Sequence, residues 1–221
     1  PLGIVIIYLI VYSYLIFTLG ILGLIDGKYI LSLTLVFISI FAILIRKFKI
    51  KNLINVDNFL KDKLVIFLVA LLILQSLINL IGVFGPELGF DALWYHLTLP
   101  KLYIQNHSVL HIPGSLLYYS DMPKLTEMLY TSALLFGNEI LAKFAHFLFG
   151  IFSLFAIYFL ARKFFNVRLS ILAVVIFYSN LVVGWESITA YIDLARTFFE
   201  VMALWGFINF LEDKNKKWLI E

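Results

Sequence analysis

Pro86 to Tyr130 reads PELGFDALWYHLTLPKLYIQNHSVLHIPGSLLYYSDMPKLTEMLY. Extended to Gly137, it is the longest part of the chain that has to meet water. Asp, Glu, His, Lys, Tyr, Trp and Pro mix here, while nearly everything on either side is long apolar runs. Of the 221 residues, 62% are hydrophobic and 14% charged, with mean hydropathy +0.99. Soluble domains average about 45–50% apolar and about 25% charged. That excess cannot be hidden in one soluble core of this size, so the chain is an integral membrane protein.

A bilayer core of about 30 Å takes roughly 20 apolar residues per helix. Six stretches qualify on either side of the polar segment: Leu2–Ile25, Tyr29–Ile45, Leu64–Phe84, Ile140–Ala161, Leu169–Trp185 and Ile192–Leu211. Only a helix satisfies its own backbone within lipid, so the fold class is all-α, a polytopic transmembrane bundle of about six helices. Residues 1–63 read as two N-terminal spans and a basic linker, and 64–221 as a second module with the outer loop 86–137.

The basic residues set the orientation. Arg46, Lys47, Lys49, Lys51, Lys61 and Lys63 lie in one linker, Arg162, Lys163 and Arg168 in a later one, and Lys214, Lys216 and Lys217 in the tail. These are alternate connections and share one side, which the positive-inside rule makes cytoplasmic. Linkers 46–63 and 162–168 are then inside and loop 86–137 outside, as in a multi-pass protein of the cell (plasma) membrane, with membrane lipids as partners. A net charge of +3, with basic residues at the ends of apolar runs, gives no nucleic-acid footprint. With no cysteine there is neither a disulfide framework nor a thiolate metal site. The chain opens on Pro1 and closes in a charged linker, which reads as a fragment from the N-terminal side of a longer protein without a cleavable signal peptide.

Within the loop, Asp91 to Tyr103 places Leu93, Leu97, Leu99 and Leu102 among Trp94, Tyr95 and Tyr103. This suits an amphipathic interfacial helix with rings at headgroup level, kinked or restarted at Pro100. His111–Gly114 reads as a turn. From Pro123, Leu125, Met128, Leu129, Ser132, Leu135 and Phe136 recur at helical spacing. Two amphipathic helices are expected to rest on the outer leaflet.

Asp91 stands just past the third run, and two readings are open. It can act as a general base toward an acceptor hydroxyl, or cap the helix that follows it. Asp193, Arg196 and Glu200 share one face of the sixth helix by their spacing. They are either a self-neutralising polar seam or the lining of a wet cavity, since charge in the bilayer is costly. Asp193 and Glu186 lie near the outer end. Asp91 and Asp193 reaching one external cavity would make a pair of catalytic carboxylates.

His96 beside Tyr95 suggests hydrogen bonding near a reacting centre. His107 and His111 have the spacing of a metal pair, but the following Pro and Gly argue for irregular backbone, so no metal is assigned, although a divalent ion is possible. Lys101 and Lys124 either meet a phosphate or snorkel to the interface. His146 reads as a packed core residue or a cavity residue, and Glu139 with Lys143 as an ordinary helix pair.

FDALWYHLTLPKLY at Phe90–Tyr103, YYSDMPKLTEMLY at Tyr118–Tyr130 and ESITAYIDLARTFF at Glu186–Phe199, in this order, resemble the GT-C membrane glycosyltransferases. They look like the family 39 type, which includes protein O-mannosyltransferases and the lipid A aminoarabinose transferase. The resemblance runs from about Leu64 to the end. It implies an outward cavity under amphipathic loop helices and a polyprenyl-phosphate sugar donor. It also implies inverting transfer to a lipid, glycan or protein acceptor outside. Asp91 matches the family's catalytic loop aspartate, and Asp193, or less well Glu186, its second acid. Tyr95, His96, Lys101, Glu186 and Arg196 are then candidate substrate contacts. Two departures stand out: two helices precede the usual first one, and Asp121-Met122-Pro123-Lys124 replaces a Lys-Pro-Pro, which weakens a phosphate role for Lys124. Further phosphate-binding residues would lie beyond Glu221, so this piece alone is expected to be inactive. The competing class is a transporter or flippase for lipid-linked saccharides, for which mid-membrane helix breaks would speak.

Overall fold

The structure, a computed structural model, describes residues 2–46 and 62–219. Among the described residues there are helices and turns and no strand. The first two runs form α1 (Leu2–Ile21) and α2 (Gly27–Arg46). Most of the basic linker that anchors the orientation, residues 47–61, lies outside the described residues. Then come α3 (Lys63–Val83), a π-helical turn (Ala92–His96), α4 (Thr98–Asn106) and α5 (Leu125–Phe136). The chain continues with α6 (Glu139–Ala161), α7 (Val167–Tyr178), α8 (Leu181–Glu186) and α9 (Asp193–Asp213). Of the described helices, α3, α6 and α9 are long and apolar enough to cross a membrane, and α1 and α2 carry slightly shorter apolar stretches. The chain is an all-α membrane bundle.

One run departs from the expectation. Leu169–Trp185 is not a single helix but α7 and α8, broken at Ser179 and Asn180. Asn180 takes an extended conformation and its side chain accepts the Val182 N–H at 2.9 Å. Short polar side chains compete for backbone donors in this way and so favour caps over helix interiors. Asn166 caps α7 likewise, accepting from Leu169 N–H at 3.1 Å.

The residues fall into two compact units, taken in turn. The first joins α1 and α2 to residues 86–145 and 190–192. Its core packs Tyr12, Ile16, Ile25 and Ile30 of the N-terminal hairpin against Leu99, Tyr103 and Met128 of the loop. The N-terminal helices therefore scaffold the loop. Tyr12 Oη lies 2.6 Å from Thr34 Oγ1 and donates to Ser132 Oγ at 3.1 Å, so α1, α2 and α5 share one buried polar junction. The hairpin turn is also stitched to the end of α4: Ile25 N–H donates to His107 O at 3.0 Å, Val109 N–H to Gly20 O at 3.1 Å, and Ser108 Oγ to Gly20 O at 3.0 Å. A Cβ on Gly20 would lie 2.5 Å from Val109 Cγ2, so this approach requires glycine.

Both loop helices form. Pro100 sits in the first turn of α4, where its missing N–H is no loss. Leu99, Pro100 and Tyr103 of α4 are buried, as is most of α5 from Thr126 to Ala133. These faces pack on protein, which leaves a different set of loop residues uncovered.

The second unit holds α3, residues 146–189 and residues 193–221. Val65 and Leu68 of α3 pack on Ile171 of α7, and Leu154 of α6 on Val174 and Tyr178. Asn79, inside the α3 span, accepts from Gln75 Nε2 at 3.0 Å and donates to Tyr178 Oη at 3.1 Å, so its amide is not orphaned in lipid. On the basic side, Asp62 caps α3 and pairs with Arg168, and that guanidinium chiefly holds the carboxyl below its usual range. Ile73, Leu74, Leu77, Ile78 and Ile81 of α3 stay exposed, the surface lipid solvates.

Candidate functional site

The segment after α3 is held by a carboxylate that sequence reading passed over. Glu87 is buried; its Oε1 accepts from the N–H groups of Leu88 at 2.9 Å and Gly89 at 2.7 Å. Its Oε2 accepts from Ala190 N–H at 2.8 Å. One side chain thus folds its own turn and fastens it to residues 190–192. Gly89 sits in the contact: a Cβ there would lie 2.9 Å from Tyr191 Cε1 and 3.0 Å from Glu87 Oε1.

Tyr191 completes the clasp. Its hydroxyl accepts from Asp91 N–H at 3.1 Å, and its carbonyl accepts from the buried Tyr130 hydroxyl of α5. The Asp91 backbone is fixed by these bonds, yet its side chain makes no capping hydrogen bond. Asp91 has φ −68° and ψ −32°, already helical, whereas a capping aspartate needs an extended backbone to reach forward. Half-buried, the carboxylate is spent on neither cap nor ion pair among the described residues.

A π-helical turn follows at once, closed by Leu97 N–H to Ala92 O at 2.9 Å. Such turns insert an extra residue and recur at functional sites. This one sends Tyr95 and His96 in useful directions. The Tyr95 ring stacks on Tyr119 at 3.8 Å and 4°. His96 is buried with Nδ1 3.0 Å from Glu127 Oε1, and its ring lies 5.7 Å from that of Tyr191. Interaction with Tyr118 first, then burial and the Asp91 charge, push the Tyr119 hydroxyl up to about 12. At neutral pH, Tyr119 is therefore a hydroxyl facing the field of Asp91.

Among the other loop candidates, Lys101 is exposed on α4. Lys124 is committed to the loop backbone: its Nζ donates to Tyr119 O at 3.2 Å and Met122 O at 2.7 Å, and burial chiefly lowers its affinity for a proton. His111 pairs with Asp121 at 2.8 Å, while His107 Nδ1 lies 2.8 Å from Ile25 O, so the two histidines serve different ends of the loop. Lys143 is fully buried, with Nζ 3.4 Å from Pro86 O.

The remaining candidates belong to the second unit. Asp193 opens α9, exposed, at the positive end of the helix dipole. Its helix start is positioned by His146, which is buried and whose Nε2 accepts from Leu194 N–H at 3.2 Å. Nδ1 of the same ring lies 3.0 Å from Glu186 O and 2.9 Å from Thr189 O, so a neutral imidazole protonated at Nδ1 satisfies all three contacts. Glu186 is buried at the end of α8. Arg196 bonds Glu200 at 2.7 Å on an exposed face of α9, the self-pairing that the spacing allowed.

The first unit brings Asp91, Tyr95 and His96 together with Glu127, Tyr130, Tyr119 and Tyr191, while Asp193, Arg196 and Glu186 gather around α8 and α9. The sequence could have flagged Glu87 as a carboxylate between apolar residues two places before a glycine. Tyr191→Phe removes the acceptor of Asp91 N–H and is expected to cost about 1 kcal/mol, read as a thermal midpoint lower by roughly 2–4 °C.

Residues 126–221 match the profile of the family described as dolichyl-phosphate-mannose-protein mannosyltransferase. The match covers Glu127, Tyr130, His146, Glu186, Tyr191 and Asp193, and begins after Asp91. No curated protein and no solved structure matches the chain. The family match supports a membrane protein like the GT-C mannosyltransferases.

Proposed function

We propose that the chain carries part of the catalytic machinery of a glycosyltransferase. In this reading it moves a sugar from a polyprenyl-phosphate donor to an acceptor hydroxyl on the outer face of the membrane. Asp91 takes the acceptor proton, the acceptor oxygen attacks the anomeric carbon, and the bond from that carbon to the phosphate oxygen breaks. Polyprenyl phosphate leaves, and attack from the opposite side inverts the centre. The observation that carries this reading is the Asp91 carboxylate itself, uncapped on a backbone fixed by Tyr191 and Glu87. A general base works when its position is set and its oxygens are not committed elsewhere.

Asp193 is the second acid in this proposal. Tyr95 and His96 contact the sugar, Lys101 offers charge to the donor phosphate, and Glu186 and Arg196 belong to the substrate-binding set. The family match, with its lipid-linked mannose donor, supports the reaction class.

The donor class is tested with the intact protein in native membranes. Labelled sugar is supplied on polyprenyl phosphate in one arm and as a nucleotide sugar, with lipid-donor synthesis blocked, in the other. Transfer from the lipid donor alone is expected; direct use of the nucleotide sugar would overturn the reading. Among the described residues, the break at Ser179 and Asn180 is a feature that favours lipid-linked saccharide transport. Transport predicts donor crossing sealed vesicles with no glycosylated product.

A further inference from the structure

Five aromatic rings, beginning at the neighbour of Asp91, form one continuous array within the first unit. The Tyr95 ring stacks on Tyr119 at 3.8 Å and 4°, and the Tyr118 ring stacks on it at 4.1 Å and 28°. Two rings so close cannot share one face, so Tyr119 is sandwiched. Trp94 meets Tyr119 edge-on at 5.1 Å, and Phe90 lies 5.3 Å from Trp94. Tyr118 ends the stack and is 47% exposed. Three contacts hold the stack in place. Trp94 Nε1 donates to Leu116 O at 3.1 Å, Lys124 Nζ donates to Tyr119 O at 3.2 Å, and buried Ser120 Oγ accepts from Ile112 N–H at 3.1 Å.

An open tyrosine ring near a carboxylate narrows what can bind. In the segments that build the array, 90–95 and 116–121, the charged residues are Asp91 and Asp121, and Asp121 is paired with His111 at 2.8 Å. The array itself therefore offers no counter-ion to an anionic acceptor. Among the described residues there is no strand edge for a peptide to extend. A hydrocarbon chain would exclude water from the Asp91 carboxylate and the tyrosine hydroxyls and give them no polar partner in return. Tyr119, pushed up to about 12, keeps its proton at neutral pH in the field of Asp91. A neutral sugar ring suits both surfaces at once. Its C–H face lies on an electron-rich ring, and its hydroxyl rim meets a carboxylate and phenols.

We propose that Tyr118, backed by Tyr119 and Tyr95, is the platform for the acceptor, and that the acceptor is a neutral glycan bound through one pyranose ring. The inference rests on the reading of Asp91 as the base of a sugar transfer and names the acceptor class of that site. The sugar on Tyr118 presents a hydroxyl to Asp91, which takes its proton. The hydroxyl oxygen bonds to the anomeric carbon of the donor sugar, and polyprenyl phosphate leaves with the electron pair of the broken C–O bond.

Two measurements on the intact protein test this. In native membranes given labelled polyprenyl-phosphate sugar, linkage analysis is expected to find the label joined to a hydroxyl of another sugar ring. Label on serine, threonine or a lipid hydroxyl would overturn the inference and leave the sugar-transfer reading standing, whereas no transfer from the lipid donor would remove both. In nanodiscs without donor, nuclear magnetic saturation is expected to pass from the protein to the ring C–H protons of mannotriose, a neutral pyranose probe. Tyr118→Leu should weaken that binding about five- to tenfold, the worth of one ring face, and Tyr118→Trp should keep it, both at the wild-type unfolding midpoint. Leucine serves an apolar chain as well as tyrosine does, so wild-type binding by Tyr118→Leu would overturn the inference, as would an unbound trisaccharide. Polyprenyl-phosphate mannose added to Asp91→Asn, where turnover is blocked, separates the two sugars of the reaction. A mannotriose signal that persists marks the acceptor position, and one that is displaced marks the donor's sugar and contradicts the assignment.

Discussion

Glu87→Ala is expected to destabilise the protein by about 3–5 kcal/mol, because it strips acceptors from three backbone N–H groups at once. Two of them, from Gly89 and Ala190, are in buried positions. Each buried donor left without a partner costs about 1–3 kcal/mol, a large part of the roughly 5–15 kcal/mol that holds an ordinary domain together. The two halves of the clasp should part, since Oε1 shapes the Leu88–Gly89 turn and Oε2 binds Ala190. Glu87→Gln separates these roles. Its amide oxygen keeps one set of contacts, while its NH2 must face an N–H, so an intermediate loss is expected. Thermal unfolding in nanodiscs reads both; an alanine variant with the wild-type midpoint would show that Glu87 does not hold the loop.

The helical membrane fold was legible because lipid imposes it. Apolar runs near bilayer length alternate with basic linkers, and the backbone has no other way to satisfy itself there. Pro100 was legible for a similar reason, since proline tolerates the first turn and little else of a helix. The break at Ser179 and Asn180 was not, because two polar residues vanish in the average over a run that also holds Val174, Val175, Ile176 and Phe177. Asp91 invited a cap reading from the preference of its residue type, but that preference assumes an extended backbone, and the π turn had already made Asp91 helical. The turn is closed by a backbone bond from Leu97 to Ala92, which no side-chain pattern announces. Glu87 is the clearest case. Its distant partner is a backbone N–H at Ala190, and a backbone donor leaves no mark in sequence. Nothing in the sequence marks Glu127 as the partner of His96, 31 positions away.

Asp91→Asn is expected to lower sugar transfer by about 10²- to 10⁴-fold, the usual worth of a positioned general base. The change is nearly isosteric. It leaves the Asp91 N–H to Tyr191 bond in place and disturbs no capping bond. Stability should therefore match the wild type, in contrast to Glu87→Ala, where fold and activity fall together. Asp91→Glu keeps the carboxylate but moves it by one methylene against a fixed backbone, so partial activity is expected. The direct measurement is transfer from radiolabelled polyprenyl-phosphate sugar by the intact protein in proteoliposomes, wild type beside Asp91→Asn, with the unfolding midpoint taken on both. Near-complete loss of labelled product at an unchanged midpoint is the predicted result. Wild-type transfer by the asparagine variant would contradict it and remove Asp91 from the chemistry.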